Sequence, residues 1–433
     1  MEKELVIFWF RRDLRLEDNV GLWHALTSGF SVLPVFIYDS DLLSTLEPDD
    51  KRMTILGEIL RTLDSSVRQR GSAIFFAHGR PLNIFKELVT LFKVKALYFN
   101  RDYEPFSIKR DGEVTGFMKS HGIACYSYKD QVIFEGDEIL KNDGKPYTVF
   151  TPYSVKWLSK FSTDCTRKYT SEKLTGNFVF NGEESYIPPG QLGFRPQQVS
   201  QRPVNLGHDF LRGYAKKRDF PAIDGTSNIG PHLRFGTISV REAVRRSHGI
   251  SDAFVKELIW REFFMQILFH FPFVTERSFR AGFDRIEWVN DEEKFNLWCE
   301  GRTGFQIIDA GMRELISTGY MHNRVRMIVS NFLTRHLLTD WKWGEAWFAE
   351  KLIDFELSSN NGNWQWAAGS GCDAAQYFRI FNPDFQLKKF DPRSEYCRKW
   401  IPELGTPGYA KRCVDLSEVR EKALTVYKSA IYS

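Results

Sequence analysis

The sequence predicts two domains of different class: an N-terminal α/β domain with an open, doubly wound, five-stranded parallel sheet, and an all-α C-terminal domain. Three observations carry this prediction. Five short apolar runs alternate with helical patterns before residue 130. Strand signals almost vanish beyond Leu206. Nine of the twelve tryptophans fall between Trp260 and Trp400, so the ring-rich part of the chain is the helical part. The predicted bounds are 1–130 for the α/β domain, 131–205 for a connector and 206–433 for the helical domain.

The strands come first. "ELVIFWF", "SVLPVFIYD", "SAIFFAHG", "VKALYFN" and "GIACYSYK" are apolar runs bounded by turn or charged residues, the pattern of buried parallel strands. Between them, "KRMTILGEILRTLDSSVRQRG" sets Ile55, Ile59, Leu63 and Val67 at a spacing of four and stops at Gly71. From Asp130 to Asn205, segments rich in Pro, Gly and polar residues read as a connector, with a few helical turns around Val155 to Phe161. Helical periodicity then takes over, clearest in Phe254 to Pro272 and in Gly319 to Leu338.

Composition narrows the class. Hydrophobic residues at 42% and charged residues at 26% are ordinary for a soluble globular protein, while 15% aromatic residues is high. A net charge of +4 is too mild to mark a nucleic-acid binder by itself, because the footprint of one is a clustered basic face. None of the six cysteines forms a C-x-x-C pair, which argues against a disulfide framework or a zinc site and for reduced thiols. The first apolar run, Leu5 to Phe10, is short and lacks a small-residue cleavage site, so it reads as a strand and not a signal peptide. No run approaches a membrane span. The expectation is a cytoplasmic protein without a metal centre or membrane contact.

Four segments hold candidate chemistry. "FRRDLRLEDN", after the first strand, has neither G-x-G-x-x-G nor a P-loop, which disfavours ordinary dinucleotide or triphosphate binding on this sheet. Its arginines read equally well as a salt-bridged turn. "DGTSNIGPHLRFGTIS" places Thr226, Ser227 and Gly230 before a helix, either as an anion cradle fit for a pyrophosphate or as a plain capped helix start. Glu257, Trp260, Arg261 and Phe264 share a helical face, and so do Asn323, Arg326, Met327 and Ser330. The first face is a binding surface or a buried Glu–Arg pair beside a packed indole; the second suits a polar, partly apolar ligand. "EKLIDFELSSNNGNWQWAAG" supplies Asp354 and Glu356, then an Asn-Gly turn carrying two tryptophans.

Together "FWFRRDLRLEDN", "DGTSNIGPHLRFGTIS", "ELIWREFF", "MHNRVRM" and "NNGNWQWAAGSGCDAAQYFRIFNP" resemble the photolyase/cryptochrome family. The match runs from Ile7 to about Trp400 with the motifs in family order, and is most like a class I cyclobutane pyrimidine dimer (CPD) photolyase. The resemblance implies a U-shaped FAD held by the helical domain. Tyr214, Thr226, Ser227, Asn228, Ile229, Gly230 and Arg261 would line its phosphate and ribityl side. Arg326 and Asp354 would form an ion pair under the flavin ring, flanked by Phe355 and Glu356. Asn360 would sit beside flavin N5, where an amide tunes the cofactor.

On the substrate side, the resemblance implies that Trp260 stacks on a flipped-out pyrimidine dimer and that Glu257 bonds its base edge. Asn323, Arg324, Met327 and Trp366 would complete the pocket. Arg218 and Gln386 would meet DNA, Gln386 from a loop. Photolyases are themselves an established example of enzymes that take a base out of the stack. Trp288, Trp341 and Trp364 match the family's electron-transfer chain. Met327 stands where (6-4) repair enzymes tend to carry a proton-donating His, and Met cannot donate a proton.

The implied function is light-dependent DNA repair, splitting cyclobutane dimers by electron transfer from photoexcited reduced FAD. The alternative is a cryptochrome-like photoreceptor without repair activity. The expected partner is UV-damaged DNA and the expected state a monomer. The chain departs from the family pattern at Gly230 (often Ser), Phe254 (often Trp) and Glu356 (often Asp). Folate-antenna ligands expected near Phe106-Ser107 and Thr275-Glu276 are absent, so a second chromophore would be a flavin or deazaflavin, or the site would be empty.

Overall fold

The computed structural model describes residues 4–179, 186–374 and 376–432; residues 180–185 of the predicted connector lie outside them. The chain forms two compact units. One comprises Met1–Glu138, Leu158–Val204 and Asn228–His248, and the other Ile139–Trp157, Asn205–Ser227 and Gly249–Ser433. Residues of the segment expected as a connector, 131–205, fall partly in each unit, and 228–248 fall in the first.

In the first unit, β1 (Leu5–Phe10), β2 (Ser31–Asp39), β3 (Phe75–Gly79), β4 (Val94–Asn100) and β5 (Ala124–Tyr128) form one parallel sheet in the order β3-β2-β1-β4-β5. The central β1 is buried at every residue, with Ile7 between Leu33 and Leu97, as its unbroken apolar run requires. The helices are α1 (Val20–Leu26), α2 (Ser40–Leu43), α3 (Lys51–Arg68), α4 (Pro81–Leu91) and α5 (Pro105–Ser120), then α8 (Ile229–Phe235) and α9 (Val240–Ser247). Ile55, Ile59, Leu63 and Val67 of α3 are all buried. The arginine turn after β1 is a structural joint. Arg15 meets Asp130 at 2.6 Å, and Arg241 meets Asp130 at 2.8 Å and Asp18 at 3.2 Å, all with buried side chains.

The second unit is helical: α6 (Phe150–Lys160, of which Phe150–Trp157 belong here), α7 (His208–Lys217), α10 (Asp252–His270), α11 (Glu292–Glu300), α12 (Gln306–Thr318) and α13 (Asn323–Asn331). It continues with α14 (Trp341–Lys351), α15 (Leu357–Ala368), α16 (Pro383–Phe390), α17 (Glu395–Trp400) and α18 (Leu416–Tyr432). A π-helical turn, Phe332–His336, extends α13. The core centres on Trp298, fully buried, with its Nε1 donating to the Val329 carbonyl at 3.1 Å.

Two local expectations are corrected. The stretch read as an Asn-Gly turn is the helix α15; it ends at Gly369, whose φ of 82° is the left-handed stop a helix uses. Gly362 lies inside that helix because Phe264 occupies the side-chain space, and an added Cβ would lie 2.1 Å from Phe264 Cδ1. The helical turns expected at Val155 begin at Phe150, since Phe150, Tyr153 and Trp157 form a buried face at helical spacing.

Candidate functional site

A pocket lies within the helical unit, walled by α13, α14, α15 and the Asp354–Glu356 segment. Asn323, Arg326, Met327 and Ser330 all line it, because a 3, 4, 7 spacing puts them on one face of α13. Asp354, Phe355, Glu356, Asn360, Trp364 and Trp366 line it as well.

Its charges are paired in a particular way. Arg326 Nη2 lies 2.9 Å from Asp354 Oδ2, and Arg326 Nε donates to the Met321 carbonyl at 2.8 Å. Burial opposes the Arg326 charge, but the Asp354 carboxylate outweighs it and the guanidinium stays firmly protonated. Asp354 Oδ1 is buried without a hydrogen-bond donor among the described residues, an acceptor offered to a ligand. Arg261 does not reach out for an anion as a lone cation; its Nη2 pairs with Glu356 Oε1 at 2.8 Å, and Ser359 Oγ donates to Glu356 Oε2 at 2.9 Å. Asn360 Nδ2 donates to the Glu345 carbonyl at 3.0 Å, and Asn361 Nδ2 donates to Glu345 Oε1 at 3.0 Å. Burial pushes the Glu345 carboxyl up to about 7.

The α10 residues form a neighbouring polar and aromatic group. Glu257 pairs with Arg218 at 2.6 Å, and the Arg218 guanidinium lies 5.3 Å from the Tyr214 ring centroid. Tyr214 packs edge-on against Phe254 at 5.1 Å. Trp260 keeps some exposure while its ring stacks on Phe150 at 3.6 Å. Arg324 pairs with Asp219 at 2.8 Å, lies over Phe390 at 4.5 Å and brings Nη1 to 3.5 Å from the Met327 sulfur. Thr226 Oγ1 accepts from Tyr320 Oη at 3.5 Å, and Ser227 is buried beside it in sequence.

The remaining expected residues fall elsewhere. Asn228, Ile229 and Gly230 belong to the first unit, where Asn228 precedes α8 in the left-handed conformation (φ 56°) and Gly230 is already helical. Gly230 is therefore not the open cradle before a helix that the spacing predicts. Gln386 is on α16 and not in a loop, because Asn382 caps that helix by accepting from Phe385 N at 3.0 Å.

Trp364 and Trp341 belong to the buried helical core, and Trp288 packs against it. Trp364 lines the pocket and is buried. Trp341 opens α14, whose Gly344 admits the Trp364 indole; an added Cβ there would lie 2.1 Å from Trp364 Cη2. Trp288 is half-buried, and the next two residues tie its segment to Leu338–Asp340: Val289 N donates to the Leu338 carbonyl at 2.8 Å and Asp340 N to Asn290 Oδ1 at 2.8 Å.

Sequence reasoning missed Glu345, His322, Phe348, Leu352, Ser359 and Asn363. Reading 357–368 as a helix puts Ser359, Asn363 and Trp366 at 0, 4 and 7 on one face, the signal that would have found two of them. His322 caps α13 through Nδ1, which accepts from Arg324 N at 3.1 Å, so its proton sits on Nε2; burial lowers its pKa to about 4.

A pocket with mixed polar and aromatic walls, two ion pairs and an orphan acceptor suits a flat heteroaromatic ligand that has both N–H groups and carbonyls. The comparisons agree. Residues 254–408 match the FAD binding domain of DNA photolyase, and residues 6–171 match DNA photolyase. A deoxyribodipyrimidine photo-lyase of Agrobacterium fabrum is 36% identical, covering 92% of this chain and 87% of the relative. One of Synechococcus is 34% identical, covering 92% and 88%. The solved class III photolyase of Agrobacterium tumefaciens superposes with a TM-score of 0.90 at 32% identity, covering 100% of this chain and 99% of that one. An archaeal photolyase from Sulfolobus tokodaii, solved with two FAD molecules, gives 0.84 at 34% identity, covering 98% and 100%.

The two units and the pocket thus define an FAD-binding light enzyme of the photolyase type. The chain belongs to the DNA photolyase family. No helix among the described residues is long and apolar enough to cross a membrane, and no group of three or more His, Cys, Asp or Glu among them could hold a metal ion.

Proposed function

We propose that this protein repairs cyclobutane pyrimidine dimers in UV-damaged DNA, driven by light. The observation that carries the reading is the combination at α13: Arg326 paired with Asp354 at 2.9 Å, and Met327 on the same pocket face. One solved relative is of class III, so the class I label rests on the motifs alone. Bound FAD in its reduced form supplies the light absorption and the electron.

The chain's own residues bind, orient and exclude. The Arg326–Asp354 pair fixes charge at the pocket wall, and Asp354 Oδ1 accepts an N–H of the cofactor ring. Asn360, tied by its Nδ2, offers Oδ1 as an acceptor. Tyr214, Thr226, Ser227, Arg261, Phe355 and Glu356 would hold the rest of the cofactor. Trp260 stacks on the extruded dimer, Glu257 takes its base edge, and Asn323, Arg324, Met327 and Trp366 close around it. A dimer stacks poorly in the duplex and costs less to extrude than an intact pair. Arg218 and Gln386 meet the DNA backbone. Trp364, Trp341 and Trp288 conduct an electron inward from the surface. No side chain is required as a general acid, which agrees with Met at position 327.

The test uses two oligonucleotides, one carrying a single cyclobutane dimer and one a single (6-4) photoproduct. Light with the reduced protein restores the first and leaves the second. Repair of the (6-4) lesion would overturn the assignment, and repair of neither would leave the photoreceptor reading.

A further inference from the structure

We propose that Phe150 is a positioning residue for Trp260, occupying one face of the indole so that a DNA base can stack only on the other. The inference rests on the reading of Trp260 as the platform for the dimer. The two rings lie 3.6 Å apart between centroids with planes 5° apart, so Phe150 covers the indole face to face. Phe263 meets the indole edge-on at 5.6 Å and 83°, and Phe264 lies at 5.4 Å and 31°. Phe150 is itself buried and braced by Phe263 at 5.9 Å. Trp260 keeps partial exposure although these three phenylalanine rings pack on it.

The brace is anchored over the length of α6. Phe150 N donates to Asp373 Oδ2 at 2.9 Å. One turn on, Tyr153 packs against Phe263 at 5.2 Å, and Trp157 Nε1 donates to Glu262 Oε1 at 2.6 Å. Gln266 Nε2 reaches back to the Tyr147 carbonyl at 3.1 Å. A helix held to α10 through Tyr153 and Trp157, with Tyr147 just before it also bonded to α10 and its first N–H bonded to Asp373, holds its first ring where the indole cannot turn without losing a full stack. The ordering cost of the indole is then met on folding and not on binding. A bound base makes the third ring of one stack, and aromatic stacking supplies affinity without reading sequence.

The experiment uses FAD-loaded protein labelled with 5-fluorotryptophan, the Trp260 fluorine line being identified by its loss in Trp260→Phe. In Phe150→Ala the line shifts and broadens, and affinity for an oligonucleotide with one cyclobutane dimer falls about three- to tenfold. Affinity for undamaged DNA, the flavin spectrum and the repair yield per photon of bound dimer stay as they were. Phe150→Tyr, which keeps the stacked ring, restores the line and the affinity. Phe150→Leu, which keeps volume without a ring, carries the test if the alanine variant does not fold. An unmoved fluorine line, or a moved line with unchanged dimer affinity, overturns the proposal. Equal wild-type affinity for damaged and undamaged DNA would instead sink the reading of Trp260 as a dimer platform, while the fluorine line still decides whether Phe150 holds the indole.

Discussion

Asn360 Nδ2 donates to the backbone carbonyl of Glu345 at 3.0 Å, and this one bond settles which way the Asn360 amide faces. A backbone carbonyl can only accept, so the amide nitrogen must point to it and Oδ1 is left for the pocket. An acceptor beside flavin N5 favours the reduced cofactor, which carries N5–H, over the oxidised one, whose N5 is itself an acceptor. Asn360→Ala should therefore lower the flavin reduction potential. Loss of one hydrogen bond of about 1 kcal/mol corresponds to roughly a fivefold change in the ratio of reduced to oxidised flavin at fixed potential. Spectroelectrochemical titration reads it, and an unchanged or raised potential would be inconsistent with this orientation.

The Arg326–Asp354 pair makes a second prediction. Asp354→Ala leaves the Arg326 guanidinium in the pocket wall without its carboxylate, and removing one partner of a buried pair typically costs about 3–5 kcal/mol. The side chains here are 25% and 12% exposed, so the lower end of that range applies. The variant should melt at lower temperature and retain less flavin through purification. Wild-type flavin content in a folded Asp354→Ala protein would argue against this pair as a cofactor contact.

Two buried groups give opposite pH dependences. Glu345 is raised from 4.5 to about 7 by burial, so between those values the folded state holds a proton that the unfolded state has lost. Its contribution to stability falls as pH rises through that window. Burial lowers His322 from 6.5 to about 4, so there the unfolded state holds the extra proton, and its contribution falls as pH drops from 6.5 towards 4. Glu345→Gln should flatten the neutral limb of the stability profile. His322→Asn, which keeps a good helix cap, should flatten the acid limb. Denaturant midpoints from pH 4 to 8 check both, and parallel profiles for all three proteins would refute the assignments.

How legible the molecule was in its sequence varied with length scale. The five strands were readable as short apolar runs, which burial on both faces makes unbroken in the central β1, and the α3 and α13 faces because helical geometry imposes a fixed period. The α15 stretch was not, because Asn-Asn-Gly-Asn has turn composition and only tertiary packing makes it helical. Phe264 fills the space beside Gly362, and Asn361 finds buried partners in the Val274 carbonyl and Glu345. The same limit hid the first turn of α6: Phe150, Tyr153 and Trp157 show helical spacing, but their neighbours on α10 are about 100 residues away. Residues 228–248 join the sheet unit through buried charges, Arg241 with Asp18 and Asp130, that no local pattern reveals.

The α15 helix points its two tryptophans in different directions. Residues two apart on a helix point in nearly opposite directions, which fits Trp364 buried in the core and Trp366 half-exposed at the pocket. Trp364→Phe should slow flavin photoreduction and spare repair by protein reduced beforehand. Trp366→Ala should weaken binding of damaged DNA and spare photoreduction. Gly344→Ala should mimic the first variant, because the added methyl displaces the Trp364 indole, and overpacking of this kind costs about 1–3 kcal/mol. Transient absorption and dimer-binding assays separate the outcomes; identical behaviour of the two tryptophan variants would contradict the division.

Light-driven dimer splitting is tested most directly by counting cyclobutane dimers in UV-irradiated oligothymidine mixed with reduced, FAD-loaded protein, under blue light and in darkness. The predicted result is loss of dimers in the illuminated sample alone, reduced sharply by Trp260→Ala. An equal dimer count in light and dark, with flavin bound and reduced, would contradict the proposed function.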